Sequence, residues 1–178
     1  MNIIDITKTL PTTGSNGYRK LADIVYAVVH HSAIPSVEPY DPLSRYVSEA
    51  AYHIKKGWRR LSYTYLIDTK GDVYLGNPLE QVAYHSGNPA LRKNSIGICL
   101  DGDFTRHEPT DAQISSLRRL LDHLCYERPD MPKLVRKTVR YHGEVRGFTD
   151  LLGVFHSNPT ACPGKPIIEF VKSYRSTL

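Results

Sequence analysis

The chain has 178 residues, 40% of them hydrophobic and 23% charged, with a formal net charge of +5. That length favours one domain, able to bury roughly two-thirds of its unfolded surface without covalent staples, and no run approaches the ~20 apolar residues of a membrane span. The positive balance suits a solvated basic surface or attraction to a polyanion. The cations are scattered rather than gathered in a dense Lys/Arg run, so nucleic acid is not an expected partner.

The first eight residues lack a cationic leader, a sustained apolar core and a small-residue cleavage site, so no secretion signal is expected. Residues 9–18 and 34–43 are rich in Pro, Gly, Ser and Thr and read as loops. Asp23 to His31 reads as a buried strand. Ser44 to Lys56 reads as a helix, with Tyr46, Val47, Ala50, Ala51 and Ile54 at helical spacing and Gly57 as its stop. Leu61 to Asp68 and Val73 to Leu75 form an expected hairpin around Lys70-Gly71-Asp72. Ser95 to Leu100 is a second buried strand, and Pro109-Thr110-Asp111 opens a helix reaching about Glu127. Lys137 to Tyr141 reads as a strand and Pro166 to Tyr174 as a closing helix begun by proline. This order predicts an α/β (α+β) layer fold, a central mixed β-sheet flanked by helices.

Three cysteines cannot all pair. Cys99 and Cys125 fall in apolar runs and read as buried free thiols, which suits a protein made in a reducing compartment. Cys162 differs. It lies in Pro159-Thr160-Ala161-Cys162-Pro163-Gly164, a stiff loop that a plain core thiol does not need. Val28-Val29-His30-His31 is an apolar run ending in imidazole. A rigid thiolate donor and a strand-borne histidine together suggest a zinc site with mixed ligands, in which three protein donors leave one position open.

Side chains alternate along a strand, so only one of His30 and His31 can face such a site. The third ligand is His142, at the end of a strand, or His156, in a loop six positions before Cys162. A strand end holds a ligand more rigidly, which favours His142. A nucleophilic Cys162 paired with histidine is the competing enzymatic reading. Tyr63 and Tyr65 share one face of their strand, His85 sits in a turn that could border a cleft, and Thr160 lies two residues before Cys162.

Four blocks in order carry a family resemblance. They are Val28-Val29-His30-His31-Ser32-Ala33; His53-Ile54-Lys55-Lys56-Gly57-Trp58 running into Ser62-Tyr63-Thr64-Tyr65-Leu66-Ile67-Asp68 and Gly71-Asp72-Val73-Tyr74; His85-Ser86-Gly87 with Asn94-Ser95-Ile96-Gly97-Ile98; and His142-Gly143-Glu144-Val145 with the Cys162 loop. Across about residues 24–170 the chain resembles the zinc-dependent N-acetylmuramoyl-L-alanine amidases of the peptidoglycan-recognition-protein fold, the group that includes small phage lysozyme-amidases. The resemblance implies that His30, His142 and Cys162 bind Zn2+ and that Tyr63 holds the catalytic tyrosine position. Thr160 falls where relatives carry Thr or Lys to assist at the oxyanion, and His31, His85 and Asn94 are expected substrate contacts. Two departures stand out: relatives often have Gly-Tyr-His where this chain has Ser62-Tyr63-Thr64, and Phe148 to Asn158 looks like an insertion that brings in His156.

The implied reaction is hydrolysis of the amide between N-acetylmuramic acid and L-alanine in bacterial peptidoglycan. The expected setting is one catalytic domain over residues 1–178, monomeric, without a separate wall-binding domain. A protein made in the cytoplasm and acting on the wall after release would be a phage or prophage endolysin. The alternatives are a cytoplasmic wall-recycling amidase and a peptidoglycan-binding module that does not cut. Glu144 is expected either to orient a ligand or to form a surface salt bridge.

Overall fold

The computed structural model describes residues 1–36, 39–149 and 154–176. Six strands build one sheet: β1 (Ile4–Asp5), β2 (Tyr26–His31), β3 (Tyr65–Ile67), β4 (Val73–Leu75), β5 (Ser95–Leu100) and β6 (Val139–Tyr141), in the spatial order β1-β4-β3-β5-β2-β6. Only β3 and β4 pair antiparallel, so the sheet is mixed. The long central pair is β2 with β5, which sets Val28 opposite Gly97 and His30 opposite Cys99. Central parallel strands are buried on both faces, which explains why β2 and β5 are nearly continuous apolar runs.

Helices cover both faces. These are α1 (Pro42–Lys55), α2 (Pro89–Arg92), α3 (Asp111–Tyr126), α4 (His142–Val145) and α5 (Lys165–Ser176). On one face Ala27, Val29, Ile96, Ile98 and Leu100 pack with Leu117, Leu120, Leu121 and Leu124 of α3 and with Ile167, Val171 and Tyr174 of α5. Each fully buried leucine contributes about 1.5–3 kcal/mol relative to exposure. The other core is smaller: Tyr46 and Ala50 of α1 lie over Leu66, Tyr74 and Cys99. Alternation along β2 sends His30 to the α1 side and His31 to the α3–α5 side, where the His31 ring lies 6.0 Å from Phe104.

Element ends follow local hydrogen bonds. Helix α1 starts at Pro42, within the expected loop, because the Asp41 carboxylate accepts from the N–H groups of Leu43 (3.1 Å) and Ser44 (3.3 Å). In α3, Thr110 and Gln113 each accept from the other's backbone N–H, a reciprocal cap. The expected strand from Leu61 is shorter, β3 running from Tyr65; just before it the Thr64 N–H donates to the Gly97 carbonyl at 2.9 Å, and the Tyr63 carbonyl accepts from the buried Asn77 amide at 2.9 Å. The expected strands from Asp23 and from Lys137 each begin instead with a single 3-10 turn, Leu21–Asp23 and Arg136–Thr138. A hairpin, β7 (Gly147–Thr149) with β8 (Phe155–Ser157), occupies part of the segment read as an insertion. Residues 150–153 of that segment lie outside the described residues.

Two glycines let the chain close on itself. At Gly164, with φ of +91°, a β-carbon would stand 2.2 Å from the Phe104 carbonyl oxygen, so this position seats the Cys162 loop on its neighbour. At Gly97 a β-carbon would stand 2.6 Å from Cγ of His85. Gly97 therefore provides the space that the His85 side chain occupies. Gly97→Ala is expected to cost about 1–3 kcal/mol of stability through overpacking, read from denaturant melts, and to displace His85 rather than the strand.

Candidate metal centre

His30, His142 and Cys162 converge at the end of β2. One donor atom from each lies within 4.8 Å of the others, the only such group of His, Cys, Asp or Glu among the described residues. His30 comes from β2, His142 opens the short helix α4 directly after β6, and Cys162 comes from the loop before α5. The last two are tied together, since the Gly143 N–H donates to the Cys162 carbonyl at 3.2 Å. Glu144 resolves to a structural role. It takes a two-point ion pair from Arg175 at 2.8 and 3.0 Å and accepts from the Tyr141 N–H at 3.2 Å, locking α4 to α5. His156 is exposed on β8 and does not join the cluster.

The donors are presented in a form that suits a cation. Both ring nitrogens of His142 are buried and have no hydrogen-bond partner among the described residues, a costly state for an imidazole that a metal would relieve. Desolvation, with Arg146 adding to it, pushes His142 down to about 4, and burial drives His30 well below its usual range, so both rings are neutral ligands at pH 7. Burial pushes the Cys162 thiol up to about 12, so the metal-free sulfur keeps its proton.

A directional hydrogen-bond chain orients His30. The Ser95 hydroxyl donates to the Leu91 carbonyl at 2.7 Å. Its oxygen then accepts from Nε2–H of His85 at 2.9 Å. A neutral imidazole with its proton on Nε2 has an acceptor at Nδ1, and His85 is neutral because burial, with Arg19 and His142 nearby, pushes it to about 3. Nδ1 of His85 therefore accepts from Nε2–H of His30 at 3.0 Å. The lone pair on Nδ1 of His30 is left facing the Cys162 sulfur, 3.8 Å away. Such outer partners set ligand orientation and basicity.

Beside the cluster lies an open cleft of about 280 Å³ lined by His53, Trp58, Tyr63, Tyr84, Arg92, His142 and Arg146, among others. Tyr63 is half-buried with its ring 5.3 Å from that of His30, and burial holds its hydroxyl protonated well above the usual phenol range. The Thr160 hydroxyl oxygen accepts from the Cys162 N–H at 3.2 Å, placing it beside the sulfur's own loop.

Of the remaining expected contacts, His85 lies at the cleft and His31 and Asn94 lie elsewhere. His85 lines the cleft but spends both nitrogens on His30 and Ser95. His31 accepts from the Phe104 N–H at 3.1 Å on the opposite face of the sheet. Asn94 lines a different hollow, with Tyr18, Arg19 and Lys20. The sequence reading missed Arg92, Arg146 and Glu49. Glu49 falls on the face of α1 that carries Tyr46, Ala50 and His53; burial and nearby Asp101 push it up to about 7, and one of its oxygens is buried without a partner among the described residues. A carboxylate on the helical face of Tyr46, Ala50 and His53 was the available signal for Glu49.

A mixed-sheet protein with a three-donor cluster that could hold a metal ion beside an open cleft is the class that fold and cluster define. A family model described as N-acetylmuramoyl-L-alanine amidase matches residues 20–165, and the chain belongs to that family. Among curated relatives, peptidoglycan recognition protein 1 of Rattus norvegicus is 27% identical over 169 residues, 94% of this chain and 82% of the relative. Peptidoglycan-recognition protein LB of Drosophila melanogaster is 23% identical over 156 residues, 84% of this chain but only 58% of the relative. The amidase LysC of Clostridium intestinale superposes with a TM-score of 0.70 at 21% identity, over 99% of both chains. Peptidoglycan recognition protein LE, solved with tracheal cytotoxin, gives 0.76 at 22% identity, over 96% of this chain and 92% of that one. These structural likenesses are likenesses of fold.

Removing the outer partner tests the orienting chain. His85→Ala is expected to weaken Zn2+ binding about 10–100-fold, measured by competition with a chromophoric chelator, while far-UV circular dichroism stays unchanged.

Proposed function

We propose that the protein is a zinc-dependent amidase that hydrolyses the bond between N-acetylmuramic acid and L-alanine in peptidoglycan. The observation that carries this reading is the His30, His142 and Cys162 cluster, in which His142 has no other partner among the described residues. Two imidazoles and a thiolate match the mixed nitrogen and sulfur donors zinc accepts, and three protein donors suit a catalytic rather than a structural site. Zinc held there would supply Lewis acidity toward the scissile carbonyl and a nucleophile at neutral pH.

The chain's own groups complete the chemistry. Tyr63 remains a hydrogen-bond donor across the working pH range because burial opposes its ionisation. A phenol in that state positions and stabilises developing negative charge, and it does not act as a base. Thr160 uses its oxygen to hold Cys162, which leaves its proton to donate. His53 accepts from the Ser62 N–H at 3.2 Å and anchors the segment that carries Tyr63. Each donor aimed at a developing oxyanion contributes about 3 kcal/mol.

The pH dependence of metal binding follows from the donors. Both histidines are already neutral at pH 7, and the thiol, at about 12, must lose its proton to ligate. Raising the pH therefore favours binding. Zinc affinity should rise about tenfold per pH unit between about pH 5 and 6.5, below the range in which the metal's own nucleophile forms, with about one proton released per ion. Chelator competition across that range checks the slope, and a slope of two protons would contradict the donor assignment.

Two substitutions separate metal from mechanism. Cys162→Ser should lose zinc and amidase activity while remaining folded. Tyr63→Phe should keep zinc and lose about 100-fold or more in kcat. The assay is mass analysis of purified peptidoglycan after digestion, where free stem peptides beginning with L-alanine, released only without chelator, are the expected product. An active, metal-free Cys162→Ser protein overturns the reading. Binding without release by the zinc-loaded protein would make it a recognition module.

A further inference from the structure

A second hollow, of about 510 Å³, adjoins the cleft through the α2 segment: Arg92 lines the cleft, and the next residue, Lys93, lines the hollow. Its volume suits a small polar ligand, and its lining of Tyr18, Arg19, Lys20, Asp23, Lys93 and Asn94 has no part in the reaction above. Three of these residues are cations, and none of the three forms an ion pair with a described acidic residue. The one acid, Asp23, is already paired with Lys133 at 3.7 Å. Arg19 is held in place. Its Nε donates to the Leu79 carbonyl at 2.8 Å, and its Nη1 donates to the carbonyls of Arg92, at 3.2 Å, and Ser95. Burial, opposed by nearby Glu80, lowers Arg19 to about 10, so it stays charged at pH 7. Its Nη2 is buried without a partner among the described residues, as is Oδ1 of Asn94. Unspent polar atoms beside unpaired cations carry a desolvation cost that a polar anion would offset. Tyr18 supplies another kind of contact. It is 72% exposed, yet its backbone is bridged to Gln81, and the Arg19 N–H donates to the Glu80 carbonyl at 2.8 Å. A fixed, exposed aromatic ring offers an apolar face to a sugar, and the cations behind it offer partners to a carboxylate.

We propose that this hollow binds a muramic acid unit whose lactyl carboxylate is free, the glycan product of the reaction. The proposal rests on the amidase reading above and adds a second site to it. Hydrolysis adds water across the amide: the lactyl carbon keeps a carboxylate, and the alanine nitrogen leaves as an ammonium. An uncut strand is neutral at that position. A cut strand carries a negative charge on every muramoyl unit that has lost its peptide. Tyr18 takes the face of the sugar, Lys20 and Lys93 take the carboxylate, and Arg19 and Asn94 form the polar floor. The hollow retains a stripped strand while the adjoining cleft meets a unit that still carries peptide. Part of the net charge of +5 thereby acquires a partner.

The test uses the zinc-loaded protein and three probes: N-acetylmuramic acid, its methyl ester and inorganic phosphate. Calorimetry gives Kd, and backbone amide chemical shifts locate the site. The free acid should bind about tenfold or more tighter than the ester, with shifts at Lys20, Lys93 and Asn94 rather than at Trp58 and Arg146. Lys20 and Lys93 are exposed, so Lys20→Gln combined with Lys93→Gln should leave the fold intact. That variant should lose the preference for the acid and keep its kcat on a short soluble muramoyl peptide. Tyr18→Ala should weaken acid and ester alike. Equal Kd values for acid and ester overturn the proposal, as do shifts confined to the cleft or failure to bind the acid. Phosphate binding as tightly as the sugar acid also overturns it, by making the hollow a general anion site. The two readings fail separately. Acid-selective binding at the hollow without cleavage of peptidoglycan would remove the amidase and keep the site, whereas cleavage without such binding would keep the amidase and remove the site.

Discussion

Everything around the site depends on burying an imidazole without burying a charge. His30 is 1% exposed. At that depth the ring must be neutral, and both of its nitrogens need partners. His85 takes one and the cluster takes the other. His85 can do so only because Gly97 has no side chain and because Ser95 fixes which nitrogen carries the proton. A glycine in the middle of a buried strand weakens local packing, and here it provides the space on which the metal-ligand geometry rests.

The sheet separates stability from chemistry by face. The α3 and α5 side holds the large continuous core, and His31 is spent there on the Phe104 backbone. The α1 side has a smaller core because α1 covers only part of the sheet. Beside α1 lies the cleft, whose lining includes His53, Trp58, Arg92 and Arg146. Alternation along a single strand thus assigns adjacent histidines to opposite tasks.

The two ligands outside β2 are held by connections rather than by the sheet. Glu144 and Arg175 pin α4 to α5, the Gly143 N–H bridges to the Cys162 carbonyl, and Gly164 seats the Cys162 loop against Phe104. These ties bring together donors that gain little from one another in the absence of a metal. His142 is the clearest case, being desolvated on both nitrogens. An ion bound by the folded cluster would stabilise the fold.

Much of this was legible in the sequence because it is local. The apolar runs of β2 and β5, the stripe of α3, and the stiff proline-flanked loop at Cys162 each announce themselves within a dozen residues. The mixed sheet and the candidate ligands follow from those segments together with the resemblance of the four blocks. Periodicity could not show the two-residue β1, the four-residue α2 or the β7–β8 hairpin, because such short elements are set by their neighbours. Nor could it choose between His142 and His156, whose separation in sequence says nothing of distance; tertiary packing puts the first in the cluster and the second on an exposed strand. It likewise sent Asn94 to another hollow, committed both nitrogens of the cleft-lining His85 to His30 and Ser95, and left Arg92 and Arg146 lining the same cleft. Sequence determines which residues can serve as donors and which segments pair. Only the folded chain decides which donors meet, because that depends on close approaches between segments more than 100 residues apart, such as the contact between His30 and Cys162.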